Sequence, residues 1–197
     1  MASSRELILS ALRSAEPTPI PLPDVSGVGV RYPDVRQQFA KAVADVGGRC
    51  VLLSAPEMLD KALSSLPEYA QAKRVASLVP GVLKANVELA DVEDAHDLHD
   101  LDVCVLPGEL GVAENGAVWI REGASGNRAG WFLAQHMVLV LPGASIVHDM
   151  HQAYERIDAA ARGFAIFISG PSKTADIEQA LVIGAHGPRS CTVCVTG

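Results

Sequence analysis

Apolar runs of four to six residues recur along the chain, at 49–54 (RCVLLS), 103–106 (VCVL), 137–141 (MVLVL), 164–168 (FAIFI) and 191–195 (CTVCV). Too short for helices and without polar alternation, they read as strands covered on both faces, the pattern of a parallel sheet with helices on either side. Between them lie helical patterns. Asp34 is placed to cap one that runs to Ala44 and is stopped by Gly47-Gly48, and others are expected at 56–66, 91–100, 146–157 and 174–182. A further strand is expected at 74–79. Segments 112–114 and 117–120 flank Asn115-Gly116, a strong hairpin signal, so an antiparallel pair interrupts the alternation, and 123–130 reads as a glycine-rich loop. The expected fold class is α/β, a mainly parallel sheet flanked by helices with an antiparallel hairpin near 112–120.

The 197 residues suit one domain. Residues 1–14 read as an amphipathic helix, and Pro17, Pro19, Pro21 and Pro23 as an extended connector, which divides the chain into residues 1–23 and a single α/β domain at 24–197. Arg5 and Glu6 directly precede the apolar Leu7-Ile8-Leu9, unlike a secretory leader, and no apolar run approaches the ~18 residues that would span a bilayer. A soluble, cytoplasmic protein with no membrane insertion is expected, its four cysteines remaining thiols. A net charge of −7 with only five lysines excludes a phosphate-neutralising surface, and with it a nucleic-acid partner.

Two stretches carry candidate chemistry. In Gly170-Pro171-Ser172-Lys173-Thr174-Ala175-Asp176 a strand turns into an expected helix capped by Thr174. Such turns hold ligands, which makes Gly170, Pro171, Ser172, Thr174 and Asp176 candidate binding residues; a capped helix without ligand explains the same residues. Lys173-Thr174 is not a Walker loop, since the glycines that motif needs are Phe167 and Ser172 here. In Glu114-Asn115-Gly116, a carboxylate at a strand end beside a turn could act as nucleophile or base, with Asn115 and Gly116 lining the same cleft; alternatively Glu114 caps the hairpin. The two motifs are expected to meet beyond the carboxyl ends of the sheet strands, where α/β folds bind ligands.

The pairs His148/His151 and His96/His99 have i, i+3 spacing without a third ligand, so no metal site is expected. Cys191 and Cys194, an odd number apart in one strand, should face opposite ways, and Cys50 and Cys104 stand alone in other strands, so no cofactor is expected in this chain.

Glu114-Asn115-Gly116 after Leu106-Pro107-Gly108, with 170–178 and Gly184-Ala185-His186-Gly187-Pro188-Arg189, resembles the lactate-utilisation (LUD) domain family, closest to the C subunits of three-protein lactate-utilisation systems. The specific part of the resemblance covers about 102–189. It implies a fold like the sugar-phosphate isomerase and CoA-transferase superfamily. It also implies a non-redox subunit, in assembly or small-carboxylate binding, of a complex that oxidises L-lactate to pyruvate, with iron–sulfur clusters in two partner subunits. Glu114-Asn115-Gly116 is also similar to the Ser-Glu-Asn-Gly of class I CoA-transferases, with Ala113 in place of the serine. The alternatives implied are a CoA-transferase-like or sugar-phosphate enzyme acting through Glu114, and a stand-alone ligand-binding protein.

Overall fold

The structure, a computed structural model, describes residues 3–15, 20–21, 23–25, 27–123, 127–158, 160–175 and 181–197. Helix α1 (Ser4–Ser14) is closed by a capping box between Ser3 and Glu6 and buries none of its side chains. Helix α2 (Val35–Asp45) starts at Asp34, whose carboxylate accepts the Arg36 and Gln37 N–H groups, each at 3.0 Å. It buries Phe39, Ala42 and Val43, and the chain leaves it through Gly47, at φ +83°, into β1 (Arg49–Leu52). Next come α3 (Leu59–Ser64), α4 (Pro67–Gln71), β2 (Val75–Ser77), β3 (Val103–Pro107), β4 (Leu110–Val112) and β5 (Ala117–Arg121). The chain ends with α5 (Ala129–Leu133), β6 (His136–Pro142), β7 (Ile146–Val147), α6 (Met150–Arg156), β8 (Ala165–Ile168), β9 (Lys173–Ala175), β10 (Leu181–Ile183) and β11 (Ser190–Thr196).

The central sheet has the order β1-β11-β6-β3-β2, and every pairing in it is parallel. Alternation along its strands builds two cores. Val103, Val105, Val138 and Cys194 face Leu59, Leu63 and Tyr69 of α3 and α4. Cys104, Leu106, Leu139, Cys191 and Val193 face the other way, toward Phe39 and Val43 of α2, Trp131 of α5 and Val118 and Ile120 of β5. Cys191 and Cys194 therefore lie in different cores, as their odd spacing requires. Burial pushes the Cys104 and Cys191 thiols up to about 12 and Cys50 up to about 11.

The hairpin belongs to a second sheet, β7-β4-β5-β8, antiparallel across β4-β5 and β5-β8 and parallel across β4-β7. Its inner face closes the first core, and its outer face, Leu110, Val112, Ala117 and Val147, is covered by Ala153 and Met150 of α6.

Several expected boundaries move. The helix expected at 146–157 starts only at Met150, because the β-branched Ile146 and Val147 pair with Gly111 and Val112, and Asp149 then caps α6 through the Gln152 N–H. The 91–100 stretch forms short 3₁₀ turns at Leu89–Asp91 and Ala95–Leu98, and the expected loop at 123–130 gives way to α5 at Ala129. His148 precedes the Asp149 cap, so it shares no helical face with His151. The helix expected over 174–182 is replaced at both ends by strands: Lys173, Thr174 and Ala175 pair antiparallel with Ile183, Val182 and Leu181. Thr174 is thus a strand residue and no cap, while Asp176 falls outside the described residues.

Candidate functional site

Strand β4 ends at Val112, which pairs with Ala117, so residues 113–116 form the turn and Glu114 lies within it, past the strand end where it was expected. The Gly116 N–H donates to the Val112 carbonyl at 2.9 Å, and the Asn115 side-chain oxygen accepts the Ala117 N–H at 3.0 Å. Asn115, not Glu114, is the residue that closes the hairpin. The exposed Glu114 carboxylate instead accepts the Met150 N–H at 3.1 Å, at the start of α6. Beside it the buried Asp149 pairs with Arg31 at 3.3 Å, and His148 Nδ1 accepts the Tyr32 N–H at 3.0 Å, which straps residues 31–32 to this corner.

The turn packs closely on α2. Gly116 has φ +67°, and a Cβ there would stand 2.8 Å from the Val43 nitrogen; at Gly170, with φ +73°, one would stand 2.6 Å from the Val46 carbonyl oxygen. The Ser169 hydroxyl donates to the Asn115 carbonyl at 2.8 Å. The two motifs adjoin at the C-terminal end of α2, at the amino edge of the central sheet, opposite the expected carboxyl edge. The reason is topological. Strand β8 is not a member of the parallel sheet; it runs antiparallel to β5 and delivers Gly170 to the edge where β6 and β11 begin.

There a pocket of about 280 Å³ opens between the 170–173 turn and the 186–188 loop. The Ser172 N–H donates to the Pro188 carbonyl and the Gly184 N–H to the Ser172 carbonyl, both at 2.9 Å, so one residue holds the 170–173 turn to the 184–188 stretch. Phe132, Met137 and Ile168 give the pocket an apolar wall, and Gly170, Pro171, Ser172, Gly187 and Pro188 supply backbone. Its ionisable groups are Lys173 and His186, and no acidic side chain is among the described residues that line it. In a chain of net charge −7, that is a local reversal of sign suited to a small anion. By contrast, the cavity of about 300 Å³ at the carboxyl edge of β3 has its Arg121 and Glu109 paired with each other at 3.5 Å.

Residues 55–196 match the LUD domain, which is most of this chain. The chain belongs to the LUD-domain family. It is 30% identical to lactate utilization protein C of Shouchella clausii (strain KSM-K16) over 118 residues, 57% of this chain and 48% of that protein. With the protein of the same name from Halalkalibacterium halodurans it shares 34% over 101 residues, 48% of this chain and 44% of the relative. With that of Geobacillus kaustophilus (strain HTA426) it shares 28% over 158 residues, 76% of this chain and 62% of the relative. The chain thus spans about half the length of the first two relatives. The crystal structure of a DUF162 family protein from Deinococcus radiodurans at 1.70 Å resolution has the same fold, with a TM-score of 0.60, 21% identity, and coverage of 83% of this chain and 96% of that one.

Of the residues singled out from sequence, this LUD domain brings Gly170, Pro171 and Ser172 into the pocket wall, whereas Glu114, Asn115, Gly116 and Thr174 are not among the described residues that line it. Lys173 and His186 were not expected as binding residues. Both lie inside the stretches that carry the family resemblance, and their charge type in an acidic chain was the available signal. Among the described residues no group of three or more His, Cys, Asp and Glu side chains converges as a metal site, and no helix is long and apolar enough to cross a membrane.

Proposed function

We propose that this LUD domain is a non-redox subunit of a cytoplasmic complex that oxidises L-lactate to pyruvate, and that it holds a small carboxylate between the 170–173 turn and the 186–188 loop. The observation that carries the binding role is the pairing of Lys173 and His186 at a pocket without a lining acid among the described residues. A carboxylate fits there as acceptor for the Lys173 ammonium and the His186 ring N–H, with the methyl-sized end of a three-carbon acid against Phe132, Met137 and Ile168. The names of the relatives point to lactate as the metabolic context, and on this reading the redox chemistry belongs to two iron–sulfur partner subunits.

Affinity purification of the tagged chain from cells grown on lactate tests the assembly. Two cysteine-rich partners carrying iron–sulfur clusters should co-purify, and the chain recovered alone under anaerobic, low-salt conditions would contradict the subunit role. An acyl-transfer enzyme acting through Glu114 is the other chemistry the turn could support, with Oε2 held by the Met150 N–H and Oε1 as the attacking oxygen. Turnover of an acyl-CoA by the isolated chain, lost in Glu114→Gln, would establish it in place of the binding role.

A further inference from the structure

Two surfaces of this chain lack a counterpart among the described residues, and they are complementary to each other. Helix α1 is amphipathic yet buries no side chain: Leu7, Ile8 and Leu12 are 61%, 61% and 65% exposed. Ile8 and Leu12, one turn apart, project from the same face. Away from α1, an apolar groove of about 500 Å³ runs between the 3₁₀ turn at Ala95–Leu98 and helix α5, lined by Ala95, Ala129, Phe132 and Leu133 with His96 and His99. Leu133 remains 42% exposed.

The charges match as well. The turn that forms one wall and the segment leading into it carry exposed Asp91, Glu93, Asp94 and Asp97, of which Asp94 pairs with His96 at 2.7 Å. On α1, Glu6 is folded back onto Ser3, its carboxylate accepting the Ser3 N–H at 2.7 Å, which leaves Arg5 and Arg13 as the charges that border the apolar face. An apolar helix edged by arginines suits an apolar groove whose wall turn is flanked by an excess of exposed carboxylates. We propose that α1 of one copy docks in the Phe132–Leu133 groove of a second copy, so that two chains exchange arms about a two-fold axis. The sequence between α1 and the domain suits exchange, because its four prolines, Pro17, Pro19, Pro21 and Pro23, give it the composition of a semi-rigid spacer.

Sedimentation of the full chain across a concentration series tests this. The expected result is a species of twice the single-chain mass at low salt that dissociates as salt is raised. Leu133→Asp and Leu12→Asp should each give a monomer; the second alters a helix without buried side chains, so its loss of dimer cannot be a loss of folding. Mixing a Leu12→Cys chain with a Leu133→Cys chain should yield a disulfide between the two chains on mild oxidation. A wild type that stays monomeric, a dimer that survives both substitutions, or a bond that forms only within one chain carrying both cysteines would overturn the proposal.

Discussion

The carboxylate of Glu114 and the imidazole of His136 show how one neighbour decides a side chain's role. Glu114 is exposed and bonded to a backbone N–H, an interaction that an amide oxygen also satisfies. Glu114→Gln should therefore cost about 1 kcal/mol or less in urea denaturation and leave growth on lactate intact. Lost growth with unchanged stability would put the carboxylate into the chemistry. His136 lies at the start of β6 with Nδ1 2.8 Å from the Ser190 hydroxyl, and burial lowers its pKa from 6.5, with Arg189 lowering it further against Glu68 and Asp102. The unfolded chain then takes up a proton that the folded chain refuses, so stability should fall as pH drops through and below 6.5. Urea midpoints measured between about pH 7 and about pH 5 should decline, and His136→Gln should flatten that slope. Asp102 stays ionised in this window, because the Arg74 and Lys73 N–H groups outweigh its burial and hold its pKa below the usual 3.8.

At the scale of elements, the central strands were legible because an apolar run with no polar alternation has one comfortable place, inside a covered parallel sheet. The second sheet was not. β7 has two residues and β4 three, one of them Gly111, and neither the partner nor the register of so short a strand is written locally. Residues 174–182 look helical because threonine followed by acidic residues and spaced apolar ones satisfies every local rule, yet the described ends of that stretch pair with each other as strands. The glycines of the two turns carry the packing. Gly116→Ala and Gly170→Ala would each force a Cβ to within 3 Å of α2 backbone at positive φ, and each should cost about 2 to 4 kcal/mol. Gly81→Ala, with φ +83° and nothing within 4 Å, should cost only about 1 kcal/mol in the same urea titration. Equal costs at the three positions would remove the argument that the turns are fitted to α2.

For the whole molecule, sequence identified the motifs and their adjacency but set them at the wrong edge of the sheet. Gly170 follows an apolar strand, and nothing in 164–168 reveals that this strand pairs antiparallel with β5 outside the central sheet. That single long-range pairing, with Ser172 bonded to Pro188 and Gly184, turns two separate stretches into one pocket and leaves Lys173 and His186 facing the same space. Calorimetric titration of the purified chain with pyruvate and with L-lactate tests the carboxylate site most directly. The account predicts saturable binding of at least one of them, weakened ~10-fold or more by Lys173→Met, the loss expected of a charge-assisted contact, with the thermal midpoint unchanged. Wild-type protein that binds neither acid, or a Lys173→Met variant that binds as well as the wild type, would contradict it.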